Sequence, residues 1–248
     1  MIMYIMAIMK QITYIADIDQ DVDDLIAARY MFDKGVLANV VLDPKPASEV
    51  GKQRVELLRN LGIEVLDEIP EGTDTIFIGG ALTSVARYVR DHKLENLVMN
   101  GGFVGANVVP IPRQLEKFRG KSEVRTFNFN CDVKATEEVL TSDNIKQIIL
   151  VGKNVCHNPR NTTEGIWAGM RQMIEGEYGV RRGKLQHDML ACHEGLSLLR
   201  LHDEPAECKY SKLFPYNTGL CGNMTKWGSR INPFKNYRPV IAAVDWIL

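Results

Sequence analysis

The first hundred residues alternate short β-branched runs with stretches of helical periodicity, and no other feature restricts the fold as much. Residues 11–16 read as a strand, 22–34 as a helix and 37–42 as a second strand. Pro44 and Pro46 then make a turn before a helix at about 49–60. Short strands follow at 63–66 and 75–78, a helix at 82–92, and a strand at 97–99 that leads into Asn100-Gly-Gly-Phe103. Buried-type strands alternating with helices predict an α/β fold, a mostly parallel open sheet with helices on both faces. Ligands in such sheets bind beyond the carboxyl ends of the strands. Further on, 124–129 and 147–151 read as strands, and 132–140, 163–175 and 184–199 as helices. The stretch from Glu204 is rich in Pro, Gly, Asn and aromatics, and a final apolar strand occupies 240–248. No linker or repeat divides the chain, so residues 1–248 are expected to form a single domain.

Bulk composition excludes several classes of partner. Lys plus Arg number 30 against 31 acids in 248 residues, so neither nucleic acid nor an anionic membrane is expected. The 5 cysteines are odd in number and form no C-x-x-C pair, which suggests reduced thiols and a cytoplasmic protein. The Met-rich start is apolar but lacks a basic leading segment, and Lys10 interrupts it, so a signal peptide is not expected. No apolar run approaches membrane-spanning length.

Against this near-neutral background the acidity is concentrated at one point. Asp17, Asp19, Asp21, Asp23 and Asp24 follow the first strand within eight residues. Like charges repel and burial disfavours their ionised forms, so a compensating positive partner is required. A helix N-terminus accounts for one or two acids. The remainder calls for a hard cation with oxygen ligands, of the calcium type. An EF-hand is excluded, because the loop lacks Gly at its turn position and no Glu closes it. Gly79-Gly80 and Gly101-Gly102 also follow strands and are placed to line the same crevice.

The pattern D-x-D-x-x-x-D-D at the first strand end resembles the signature of the calcium-dependent nucleoside hydrolases of the inosine–uridine-preferring type. Other landmarks follow in the same order. Gly79-Gly-Ala-Leu-Thr-Ser84 is similar to that family's G-P-L-T-N turn, and Met99-Asn-Gly-Gly-Phe103 to its M-G-G-x segment, with Asn107 a few residues on. Phe127-Asn128 with Asp132 resembles E-F-N-x-x-x-D-P, and Asn154-Val-Cys-His157 resembles D-V-T-H. His187-Asp188-Met-Leu-Ala191 resembles H-D-P-L-A. The resemblance spans essentially the whole chain.

It implies a metal-dependent N-glycosidase acting on a nucleoside or related N-ribosyl compound, with calcium held by Asp19, Asp24, Asp188 and the main-chain carbonyl of Ile78. Asp23 would orient or deprotonate the attacking water, and Asn107 and Asn128 would hydrogen-bond the sugar. His187 is the implied acid toward the leaving base. Trp227, in a loop-like Gly-rich run, is the preferred base-stacking residue, whereas Trp167 is assigned to the core of an amphipathic helix. The resemblance also implies a homo-oligomer, a dimer or tetramer.

Several positions depart from the pattern. Asp21 stands where the family has Gly, Thr126 where it has the acid of E-F-N, and the usual His-Gly-x-x-Gly element is absent. A basic segment with Arg113, Lys117, Arg119, Lys121 and Arg125 intervenes before Thr126. It reads as a solvated helix, with phosphate recognition as the sharper alternative. Two further functions are carried: a non-catalytic nucleoside-binding protein of the same fold, and a haloacid-dehalogenase-like phosphatase with Asp17 as nucleophile and Asp19 as acid.

Overall fold

Alternate residues of each central strand enter two separate cores. Tyr14 and Ala16, Val40 and Leu42, Phe77, Val98, Ile149 and Val151 face one, whereas Ile15, Val41, Ile76, Ile78, Leu97, Met99, Ile148 and Leu150 face the other. This is the burial pattern of a sheet covered on both sides. The computed structural model describes residues 12–19, 21–106, 108–121, 124–213 and 238–247. Its strands are β1 (Ile12–Ala16), β2 (Leu37–Leu42), β3 (Glu64–Leu66), β4 (Thr75–Ile78), β5 (Leu94–Asn100), β6 (Ile145–Val151), β7 (Cys208–Leu213) and β8 (Val240–Trp246). They form one eight-stranded sheet in the order β3-β2-β1-β4-β5-β6-β8-β7, parallel except for the antiparallel β7–β8 edge. The fold is α/β.

Helices α1 (Asp23–Asp33), α2 (Glu49–Asn60) and α7 (His187–Leu199) pack on the first core, and α3 (Thr83–Tyr88) and α5 (Val133–Thr141) on the second. Two short helices, α4 (Phe127–Cys131) and α6 (Lys153–Cys156), lie in the connections around β6. Helix α7 approaches the sheet closely because of Gly195, where a Cβ would lie 2.6 Å from both Phe77 and Val98 side chains. The chain steps outward from β1 through β2 to β3, then returns to β4 on the other side of β1. That reversal makes β1/β4 a topological switch point, where a crevice opens beyond the strand ends.

Three local expectations are corrected, and one strand is added. Residues 124–129 do not form a strand; Phe127–Cys131 is a short helix, turned so that Asn128 bonds the main chain at Gly79 and Asn100. Tertiary hydrogen bonding there overrides the aromatic composition that favoured a strand. Helix 163–175 is replaced by a 3-10 turn at Ala168–Met170 and a π-helical segment at Gln172–Glu177. Gly165 permits the preceding bend, since a Cβ there would meet the Arg160 carbonyl at 2.1 Å. Trp167 is buried as expected, but before the 3-10 turn rather than on an amphipathic helix. The basic segment forms 3-10 turns at Ile111–Arg113 and Glu116–Phe118, where prolines at 110 and 112 oppose a longer helix. Finally, β7 was not anticipated, because Lys209 and Lys212 give it the polar look of an edge strand.

Candidate metal and active site

The five clustered aspartates separate into three environments. Asp19 turns outward and accepts from the Ala47 amide at 2.7 Å, the Ser48 amide and the Ser48 hydroxyl at 2.5 Å. The Ser48 and Ala47 donors hold its carboxyl below the ordinary range. Asp21 pairs with Lys184 and accepts from the Val22 amide. Burial alone would raise its carboxyl, but these donors outweigh that effect and lower it. Arg54 fastens the loop itself, donating to the carbonyls of Ile18 at 2.6 Å and Asp21 at 3.0 Å. Asp17 is buried, and its Oδ1 has no hydrogen-bond partner.

The third environment is the one that gathers charge. Asp23 and Asp24 open α1, Asp188 opens α7, and all are buried with carboxylate oxygens within 4.8 Å of one another. Tyr14 donates to Asp24 at 2.7 Å and Asn100 to Asp188 at 2.8 Å. Burial pushes the Asp24 and Asp188 carboxyls well up, and the charge of Asp23 adds to both. Asp23 is raised by burial and then by Asp21. Two unit charges about 4 Å apart repel by about 4 kcal/mol at an effective dielectric of about 20. Two helix N-termini supply at most about 2 kcal/mol each, too little to offset three such pairs.

The donor set therefore fits a hard divalent cation. Gly79 completes the fit: a Cβ on it would lie 2.1 Å from Asp24 Oδ1, 2.3 Å from the Tyr14 hydroxyl and 3.0 Å from Asp188 Cγ. Only a glycine lets main chain come so close to the acids, and Ile78, the last residue of β4, directly precedes it. Asp19, expected as a ligand, has its carboxylate tied to the start of α2 in this structure, and the acids that cluster are Asp23, Asp24 and Asp188.

Above the acids is a cavity of about 390 Å³ at the switch point, lined by Asp17, Asp23, Asp24, Gly79, Asn100, Asn128, His157, His187 and Asp188 among others. His187 faces it with a buried Nε2 that lacks a partner, and its ring lies 4.7 Å from that of His157. Burial, then Lys153, Lys117 and Lys184, push His187 down to about 4, so it is neutral at pH 7. Asn128 lines the cavity, yet its Nδ2 donates to the Gly79 carbonyl at 2.7 Å and the Asn100 carbonyl at 2.9 Å. It ties together the ends of β4 and β5, leaving only its carbonyl oxygen for a ligand. Asn107 and Trp227 lie outside the described residues.

Lys153, Phe127 and Cys156 also line the cavity and were not singled out as site residues. Phe127 is 50% exposed and also lines the cavity, so its ring is open to a ligand there. Lys153 carried a weak signal: it follows β6 directly, at the same carboxyl end of the sheet. A second cluster, His193, His202 and Glu204, is a hydrogen-bonded network. His193 bonds the Tyr30 hydroxyl and the Pro205 carbonyl, and Glu204 pairs with Lys34.

No protein-family model matches the chain, and no curated protein matches it. Among solved structures it is similar to an inosine-guanosine nucleoside hydrolase, at 13% identity over 96% of this chain and 94% of that one, with a TM-score of 0.46. Among the described residues no helix is long and apolar enough to cross a membrane, and Cys156, Cys192 and Cys208 are buried free thiols.

Proposed function

We propose that this chain is a metal-dependent hydrolase that cleaves the N-glycosidic bond of a nucleoside or related N-ribosyl compound, releasing base and ribose. The observation that carries the reading is the convergence of Asp23, Asp24 and Asp188 against Gly79 beneath the cavity. Asp24 and Asp188 hold the cation, which we take to be calcium, with main-chain oxygen near Ile78 and Gly79 as the expected additional donor. When bound, that cation anchors sugar hydroxyls and polarises the attacking water. Asp23 orients the water and accepts its proton as it adds to the anomeric carbon. The bond electrons pass to the base nitrogen, and the sugar traverses an oxocarbenium-like state, as in other glycosidases.

His187 is neutral in this setting, so its role is an N–H hydrogen bond to the leaving base rather than storage of a full proton. Phe127 takes the stacking role toward the base. The cavity volume lies within the ordinary range for small-molecule sites. A phosphatase built on Asp17 and Asp19 is less well supported, because Asp19 is engaged by Ala47 and Ser48. Incubation with a panel of N-ribosides tests the proposal, with free base and reducing sugar measured in calcium or chelator. Chelator-sensitive release that falls by about 10²–10⁴ in Asp23→Asn is the expected result. Calcium-dependent binding without turnover would instead favour the non-catalytic reading.

A further inference from the structure

On the β6 side the lining of the same cavity changes from acids to Lys153, His157 and His187. Lys153 lines it, and among the described residues its ammonium makes no hydrogen bond or ion pair. Lys117, from the turn at Glu116–Phe118, approaches His157 Nδ1 and lies 4.9 Å from the Phe118 ring centre, and no carboxylate pairs with it among the described residues. An ammonium only donates, so His157 Nδ1 must accept from Lys117, which leaves the proton on Nε2. His157 therefore carries an N–H donor on its other ring nitrogen. Its ring is fixed between Phe118 and His187, with centroids 5.5 Å and 4.7 Å away.

We infer that the substrate carries a phosphate monoester, received by Lys153, Lys117 and the Nε2–H of His157; this rests on the N-glycosidase reading above. Lys153, lining the cavity without a carboxylate partner among the described residues and with the Lys117 charge nearby, carries a cost in repulsion and lost hydration that an incoming dianion removes. Lys153 shows this crowding: burial lowers its pKa, and Lys117 and Arg125 lower it further. Burial lowers Lys117 as well. The placement also suits one molecule. Loops after β4 and β6 are separated by β5, so two strand spacings, roughly 10 Å, divide them. A ribose whose hydroxyls meet the acids and whose 5′ carbon bears a phosphate covers much of that span, and the lysine stems cover the rest. Of the basic segment Arg113–Arg125, Arg113 pairs with Asp245 and Lys117 reaches the cavity-lining His157, while Lys153 lines the cavity itself.

Two measurements test this on the full chain with calcium present. First, calorimetric titration compares ribose 5-phosphate with ribose. Ribose 5-phosphate is expected to bind at least about 30-fold tighter, and the advantage to shrink at least about 10-fold in Lys153→Gln and in Lys117→Gln. The two variants are read separately, so a folding defect in one does not decide the result. Equal binding of the two sugars overturns the inference whatever the enzyme does. Second, base release is compared between nucleosides and their 5′-monophosphates. A kcat/KM ratio of 10 or more in favour of monophosphates supports the inference, and its decline with added salt supports a charged contact. Equal hydrolysis of both overturns the inference and leaves the N-glycosidase reading standing. No base release from either, with phosphate-dependent sugar binding intact, overturns that reading instead. Release of inorganic phosphate without base overturns both.

Discussion

Gly79 shows how tightly a single position controls the site. A methyl group there would sit at 2.1 Å from Asp24 Oδ1, and Asp24 is fixed in place by Tyr14. Gly79→Ala is therefore expected to weaken calcium binding at least about 10-fold and to lower stability by about 1–3 kcal/mol through overpacking. Calcium titration and denaturant unfolding read the two effects independently. Asp19 and Asp24 make a second comparison at this scale. Asp24→Asn should reduce calcium affinity by about 100-fold or more, because it removes a buried carboxylate from the cluster. Asp19→Asn should change it by less than about threefold, because its partners are Ala47 and Ser48. A comparable loss in both variants would restore Asp19 to the ligand set.

Among the elements, α7 does the most to couple packing to chemistry. It carries His187 and Asp188 at its first turn and lies on the sheet through Gly195. A Cβ at 195 would be 2.6 Å from Phe77 and Val98, so Gly195→Ala must lift the helix or displace those side chains. The expected net cost is about 1–2 kcal/mol, after a helix-propensity gain of up to about 1 kcal/mol. Because the same helix delivers Asp188, calcium affinity should fall together with Tm. Unchanged affinity at a lowered Tm would show that the helix N-terminus is held by something other than this contact. The long parallel strands and the helices that cover them were legible from apolar runs and period. Several later elements were not. The helix at Phe127–Cys131 depends on hydrogen bonds to Gly79 and Asn100, and β7 is an edge strand whose lysines mask its pairing with β8.

For the whole molecule, the buried titratable groups set a characteristic dependence on pH. Asp23, Asp24 and Asp188 have raised carboxyls, so the metal-free folded state binds more protons than the unfolded chain. Their contribution to stability is complete below about pH 4 and is lost as pH rises through the raised values. His157, His187 and His193 act in the opposite direction, being lowered to about 3, about 4 and about 4. The unfolded chain takes up those protons first, so stability falls as pH drops below about 6.5. Without metal, the most stable condition should lie between these windows, in mild acid. Calcium competes with protons for the acids, so its stabilisation should grow from pH 5 to pH 8. Thermal unfolding at fixed calcium across that range checks this; a shift that shrinks with pH would contradict the proposed ligands.

The sequence by itself determined the alternation of strands and helices through β5, the two-sided burial of the sheet, and the location of concentrated acid at the end of β1. These follow from periodicity and local spacing, which the covalent chain imposes directly. It also pointed to His187-Asp188 as a distant contributor, through resemblance rather than periodicity. Only the tertiary structure decided which acids meet. Asp19 is drawn off by amides 28 and 29 positions away, Asp21 is neutralised by Lys184, and Asp188 arrives from the first turn of a helix beyond β6. The same holds for Lys153, at the start of α6, and Lys117, in a distant 3-10 turn, whose charges meet near His157. Side-chain direction in a loop depends on partners far along the chain, and no local pattern encodes them.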